Sequence, residues 1–417
     1  MKYILLIVMT IFMFGCNKDE DVNVNLPIES TFYFPPLNSD EWENITLSEL
    51  GWNTSELGGL LTYLEESNTR AFIVLKDGKI VIEEYFGNNI LGTAPFDRNT
   101  QWYWASAGKT LTATLVGIAQ QEGLLNINNT TSTYLGNGWT SLTADKEGMI
   151  TVKKQLTMTT GLEYNVSDLD CTLPTCLTYR TDAGQQWFYH NAPYTLLEKV
   201  VENATGIDYN DYSNQKVESV IGMNGQWISQ GYNNVFWSTA RDMARFGLLI
   251  LNQGKWNNTD VLSDADYYEQ MINTSQSLNP SYGYLWWLNG QNQFMLPGSQ
   301  FEFNNSLFPN APSDLICALG KNGQLLHISN SENLIVIRLG ETPEGSTGNA
   351  YSFNYNLWEL LNPIINCKSP TNIEEACTTK SLIKIVDALG KEANHTTNQI
   401  LFHIYDDGSV EKKFIVE

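Results

Sequence analysis

Apolar positions divide the chain into a strand-rich beginning, a helical middle and a strand-rich end. Over residues 47–67 the spacing of Leu47, Leu50, Leu57, Leu60, Leu61 and Leu64 predicts a helix. Ala71 to Lys76 alternates, Asp77-Gly78 is a turn and Lys79 to Phe86 runs back, which predicts a hairpin. A helix then runs from Ser106 to about Gln121 and stops near Gly123. From there to about residue 275 the pattern is mostly helix and loop. Segments 150–160, 192–204 and 238–253 have helical spacing, with Gly161, Gly206 and Gly254 just past their ends. Strands return in Asp314 to Gly320, Gly323 to Ser329 and Asn333 to Leu339, a three-stranded meander, before a helix near 350–364. The expected fold is therefore α/β (α+β). One antiparallel sheet, built from both ends of the domain and flanked by helices, carries an inserted all-helical subdomain. Ser381 to Leu389 and Gln399 to Glu417 add a small C-terminal β module with Asp406-Asp407-Gly408 as a turn.

Charge and cysteine placement add boundaries to this outline. The net charge of −22 argues against nucleic acid, which is held by Lys and Arg. Residues 1–16 read as an export segment: Lys2, an apolar stretch from Tyr3 to Phe14 too short to span a membrane, then Gly15 and Cys16. This resembles a lipoprotein-type signal peptide with lipid attachment at Cys16, the alternative being an ordinary secretory signal. Residues 17–40 read as a polar tether, 41–366 as the main domain and 367–380 as a linker. Cys171 with Cys176, and Cys367 with Cys377, bracket short loops and read as local disulfides, while Cys317 in an apolar strand reads as a free buried thiol. The four histidines are scattered and no cysteine pair has zinc spacing, so no metal and no cofactor is expected. The segment 381–417, notably Ile404 to Lys413, resembles a type IX secretion sorting domain; an accessory β module is the alternative.

Candidate chemistry begins at Ser106-Ala107-Gly108-Lys109. Residues i and i+3 share a helix face, so a lysine amine can sit beside a serine hydroxyl and assist its deprotonation. The S-x-x-K spacing recurs at Ser213, Ser381 and Ser409, so only context selects Ser106. Tyr189-His190-Asn191 supplies a second element, preceded by Trp187-Phe188 and followed by an apolar helix; Tyr212 and Tyr232 head competing Y-x-N matches. A Tyr189 flanked by two lysines would favour its phenolate and could exchange protons with Ser106. Asn191 could hydrogen-bond Lys109 and a substrate carbonyl. Lys321-Asn322-Gly323-Gln324 forms the third element: Lys321 supplies positive charge and Gly323 lets substrate approach. The N–H groups of Ser106 and Gln324 would then form an oxyanion hole.

With Ile150 to Leu162, Ser238 to Gly247 and Tyr282 to Trp287, these motifs make residues 45–362 similar to the β-lactamase-related serine hydrolases. The likeness is to the side holding class C β-lactamases, D-alanyl-D-alanine peptidases, family VIII esterases and 6-aminohexanoate-dimer hydrolases. The resemblance implies an acyl-enzyme at Ser106, with Lys109 and Tyr189 as base and acid, Asn191 positioning and Lys321 charging the site. Asn322 stands where the lactamases carry Thr or Ser, which favours an ester or amide substrate. A true β-lactamase or D-alanyl-D-alanine carboxypeptidase, and a non-catalytic surface binding protein, are the alternatives. The expected setting is an exported monomer at the outer membrane or cell surface, or else periplasmic or secreted. Its partners would be a small-molecule or peptide-like substrate, the membrane through the lipid anchor only, and secretion machinery through the tail.

Overall fold

The computed structural model describes residues 32–343, 350–366, 382–387, 391, 393, 400–405 and 410–414. Cys16, Cys367, Cys377, Ser381 and Ser409 lie outside them, so the signal segment expected at residues 1–16 and the local disulfide expected after residue 366 both fall outside the described residues.

In chain order, α1 (Leu57–Glu66) leads into the hairpin β1 (Thr69–Lys76) and β2 (Lys79–Tyr85), then β3 (Trp102–Tyr103) and α2 (Lys109–Gln121). Short helices α3 (Ser132–Leu135), α4 (Ala144–Glu147) and α5 (Val152–Leu156) precede the long α6 (Asn191–Thr205), α7 (Tyr209–Ser213) and α8 (Ser219–Ile221). Next come β4 (Gln226–Gln230), β5 (Asn233–Ser238), α9 (Ala240–Leu251), β6 (Lys255–Trp256), β7 (Thr259–Asp260) and α10 (Ala265–Met271). The main domain ends with β8 (Trp287–Leu288), β9 (Ile316–Gly320), β10 (Gln324–Ser329), β11 (Leu334–Gly340) and α11 (Ala350–Asn366). In the tail, β12 (Leu382–Asp387), β13 (Ile400–Tyr405) and β14 (Val410–Phe414) form a three-stranded antiparallel sheet of their own.

The central sheet has the order β2-β1-β11-β10-β9-β8, with antiparallel neighbours throughout. The sheet is thus built from both ends of the domain, through β1 pairing with β11 (Ile73 opposite Ile337). Strand β11 is buried at every position and β1 at six of eight, so both faces are covered. α1 packs against β1 and α11, while α9 packs on β1, β10 and β11. Close approach of α9 is set by Gly247, where a Cβ would lie 2.8 Å from a Leu326 methyl. α9 starts in a capping box, with Thr239 accepting from Asp242 N and the Asp242 carboxylate accepting from Thr239 N.

The helical middle differs from expectation at two places: β6 pairs with β7, and a longer hairpin precedes α9. Residues 226–238 form the hairpin β4–β5, which pairs with β3 (Trp102 opposite Ser238). Only Trp227 of β4 is buried, so that strand shows no alternation to read. The Cys171–Cys176 disulfide is present and Cys317 is a buried free thiol. Among the described residues, no helix is long and apolar enough to cross a membrane.

Candidate active site

Helix α2 is buried over Lys109 to Ala119 although its sequence alternates threonine with apolar residues. The hydroxyls of Thr110 and Thr114 donate back to the carbonyls of Ala107 and Thr110, which satisfies them inside the helix. Ser106 sits just ahead, in the 3-10 turn Ala105–Gly108. The entry is held by Trp104, whose backbone N–H donates to Phe236 O at 2.8 Å and whose indole donates to Ser238 Oγ at 2.9 Å. Ala105 takes φ of 48°, a left-handed conformation that costs an L-residue energy and is held by this packing.

Lys109 Nζ donates to Ser106 Oγ at 3.1 Å. The side chain is 4% exposed, and its nitrogen lies 4.0 Å above the Tyr194 ring and 5.2 Å from the Tyr189 ring. Burial drives its pKa down to about 7, with the Asp170 charge opposing. Tyr189 is buried too, stacked on Trp287 with Tyr282 edge-on. Burial raises the pKa of its phenol, against the smaller influence of the Ser106 hydroxyl. This corrects the expected phenolate: the structure favours a neutral phenol beside an amine that titrates near neutrality. Lys321 is exposed and does not act on Tyr189, and the charge on Lys109 is itself suppressed by burial.

Asn191 opens α6 behind the N-cap His190, whose imidazole burial lowers to about 4, against the charges of Asp170 and Glu163. The expected bond to Lys109 is not made. Asn191 Nδ2 donates to Asp170 Oδ1 at 2.7 Å, and its buried Oδ1 has no hydrogen-bond partner.

The third element is shifted by one short step of chain. A Cβ placed on Gly320 would lie 2.4 Å from Trp104 O and 3.1 Å from Ala107 N, so the glycine backbone lies directly against the Ser106 turn. Gly323 instead lies against Arg338 and Pro343, away from Ser106. Gln324 is buried and spends its amide on β11: Nε2 donates to Gly340 O at 2.6 Å and Oε1 accepts from Gly340 N at 2.9 Å. Asn322 donates to Tyr103 OH at 2.8 Å and accepts from Thr342 Oγ1 at 2.7 Å, so its amide serves the turn. The strand-edge glycine against the Ser106 turn is therefore Gly320 in place of Gly323, and the Gln324 side chain is spent on β11. Gly320→Val should abolish turnover, because the added carbons must push β9 away from the serine. Wild-type turnover with a purified, folded variant would refute that placement.

The competing motifs among the described residues resolve cleanly. Tyr212 donates to Glu122 at 3.3 Å, Ser213 donates to Glu218 at 2.6 Å, and Lys216 pairs with Glu122. Tyr232 is exposed in the β4–β5 turn. Sequence reasoning missed Tyr194, Asp170 and Gly320. Tyr194 follows Asn191 by three residues in α6, a helical spacing that could have flagged it. Beside the second motif lies a cavity of about 670 Å³, lined by Glu163, Arg180, Gln186, Trp187, Gln300 and Glu302. No cluster of three or more His, Cys, Asp or Glu that could hold a metal occurs among the described residues.

A helix-borne Ser-Lys pair against the edge of an antiparallel sheet, with a tyrosine closing it from a helical insertion, defines the β-lactamase/transpeptidase-like fold. The chain belongs to the β-lactamase family, whose profile matches residues 66–350. Members of this family are hydrolases. An uncharacterized protein of Alkalihalophilus pseudofirmus is 24% identical over 348 residues, covering 76% of this chain and 93% of its own. Among solved structures, a protein provisionally named 6-aminohexanoate-dimer hydrolase from Bacillus anthracis superposes with a TM-score of 0.59 at 19% identity, covering 79% of this chain and 90% of its own. A penicillin-binding protein from Bacillus halodurans gives 0.54 at 16% identity, covering 73% and 99%. These structural likenesses establish the fold.

Proposed function

We propose that the protein is a serine hydrolase that cleaves an ester or amide bond through an acyl-enzyme on Ser106. The observation that carries this reading is the buried Lys109 amine 3.1 Å from Ser106 Oγ, with its pKa brought to about 7. A neutral amine at that position can accept the serine proton as Oγ attacks a carbonyl carbon. The N–H groups of Ser106 and Lys321 are the candidate donors to the oxygen that gains charge. Collapse of the tetrahedral intermediate breaks the bond to the leaving group. That group takes its proton from Lys109, directly or by way of the Tyr189 hydroxyl. Water then repeats the sequence in reverse and frees Ser106.

The exposed Lys321 and inward-turned Asn322 leave the third motif without a hydroxyl for a β-lactam carboxylate, which favours ester or amide substrates. The polar cavity beside Trp187 suits a hydrogen-bonding substrate; Gln186 and Gln300 there bond each other at 2.7 Å. The Cys171–Cys176 disulfide supports an oxidising compartment.

A fluorophosphonate probe should label the protein, and Ser106→Ala should remove the label. Labelling that survives the substitution would place the nucleophile elsewhere. The labelling rate should also rise with pH through about 7, as Lys109 loses its proton. A rate flat from pH 6 to 8 would remove Lys109 as the base. Panels of p-nitrophenyl esters, amino-acid amides and nitrocefin then separate the substrate classes.

A further inference from the structure

In the loop ahead of Tyr189 one carboxylate, that of Asp170, lies against the start of α6, and several restraints fix it there. Cys171, next in the chain, is disulfide-bonded to Cys176. On the other side, Leu169 O accepts from Ala192 N at 3.0 Å, which ties the loop to the first turn of α6. Asp168 Oδ1 accepts from Asp170 N at 2.9 Å. The Asp170 carboxylate then accepts from Asn191 Nδ2 at 2.7 Å, at the positive end of α6. A carboxylate on a loop held at both ends does not wander, so it acts as a fixed charge.

Around Lys109 the other groups are Ser106 one turn back and the neutral rings of Tyr189 and Tyr194. His190 shares the influence of Asp170 and Glu163 and is held neutral by burial. Asn191, which holds the Asp170 carboxylate, stands one helical turn before Tyr194, whose ring lies 4.0 Å from Lys109 Nζ, so Asp170 is a nearby negative charge and favours a protonated Lys109.

We propose that Asp170 is a positioning residue for the Ser106–Lys109 pair: it locks the Asn191 amide, and its fixed negative charge stabilises the ammonium formed when Lys109 takes the serine proton. The proposal rests on the reading of Lys109 as the base. Its chemistry is direct. Proton transfer creates a cation in a wall of aromatic rings, where water cannot solvate it, and a fixed carboxylate supplies the missing counter-charge.

The test is the pH dependence of fluorophosphonate labelling in wild type, Asp170→Asn, Asp170→Glu and Asp168→Asn. In Asp170→Asn the acid limb should move to lower pH by roughly half a unit, because an ammonium without its counter-charge loses its proton more readily. The plateau rate should fall by about threefold at most, because the same amine is then a weaker base. Asp170→Glu should bring the limb back toward wild type, and Asp168→Asn should leave it in place. A merely structural role would lower the plateau and leave the limb where it was, and that result overturns the proposal. If Asp170→Asn does not yield folded protein, Asp170→Ser carries the same readout. A wild-type profile with no limb between pH 6 and 8 is a different failure, that of Lys109 as base.

Discussion

Lys109→Met should lower kcat/KM by roughly a thousandfold or more while leaving the protein folded. Methionine keeps the length and fills the same apolar space between Tyr189 and Tyr194, but it cannot accept the Ser106 proton. Tyr189 cannot take over at neutral pH, since burial holds its phenol protonated. The stability effect runs the other way. Lys109 has a folded pKa of about 7 against an ordinary 10.5. Between those values the unfolded chain binds a proton that the folded chain refuses. Lowering pH from 10.5 toward 7 therefore progressively favours unfolding, at a cost on the order of a few kcal/mol. Methionine removes that cost, so Tm at pH 8 should stay level or rise as activity collapses. Steady-state kinetics and calorimetry on the same preparation check both halves. A loss under tenfold would shift the base role from Lys109 to another group.

Arg338→Met should destabilise the fold by roughly 3–5 kcal/mol, the largest stability effect expected of a single substitution here. Arg338 is fully buried in β11. Its guanidinium is satisfied by oxygens without a full charge. Nε donates to Thr69 Oγ1 at 3.1 Å, Nη1 to Asn322 O at 2.7 Å and Gly323 O at 3.1 Å, and Nη2 to Ser67 O at 2.7 Å and Glu341 O at 2.9 Å. Burial lowers its pKa to about 9. Methionine would leave four carbonyls without their donor, and the two buried ones, of Ser67 and Gly323, would each cost about 1–3 kcal/mol when relaxation is incomplete. Lysine would not rescue, because a point ammonium cannot reach the oxygens spread across the planar fork. Urea unfolding should show a lower midpoint at unchanged m. Because the same fork holds the 321–323 turn, activity should fall along with stability. A shift below 1 kcal/mol would mean that the carbonyls find other donors.

Most of the sheet and helix framework was readable because its elements are long, largely apolar and bounded by clear turn residues. The β1–β2 hairpin, the β9–β10–β11 meander and helices α2, α6, α9 and α11 stand where the patterns predicted them. The β4–β5 hairpin was not readable, since its strands are short and mostly uncovered. The Ser106–Lys109 contact was legible because i, i+3 spacing dictates it. The third motif was not, for a reason of register. Gly320 and Gly323 bracket one tight turn, and only the pairing of Gln324 with Gly320 decides which of them meets the serine. Asn191 went to Asp170 because a nearby carboxylate accepts an amide N–H more strongly than a substrate carbonyl or a lysine could compete for it. No spacing rule links a loop aspartate to a helix start twenty-one positions on.

The pairing of β1 with β11 also has a kinetic side. Ile73 must wait for Ile337 before the central sheet can close, and everything that forms the helical insertion is made in between. Loop closure over that span precedes any reward from the pairing, so the topology is one of high contact order and slow assembly. Until β11 arrives, the hairpin β1–β2 offers an apolar open edge on the side that β11 later covers. Chains halted short of residue 334 would thus be sticky as well as inactive. A refolding experiment should find aggregation rising with protein concentration at the step where this edge is still open.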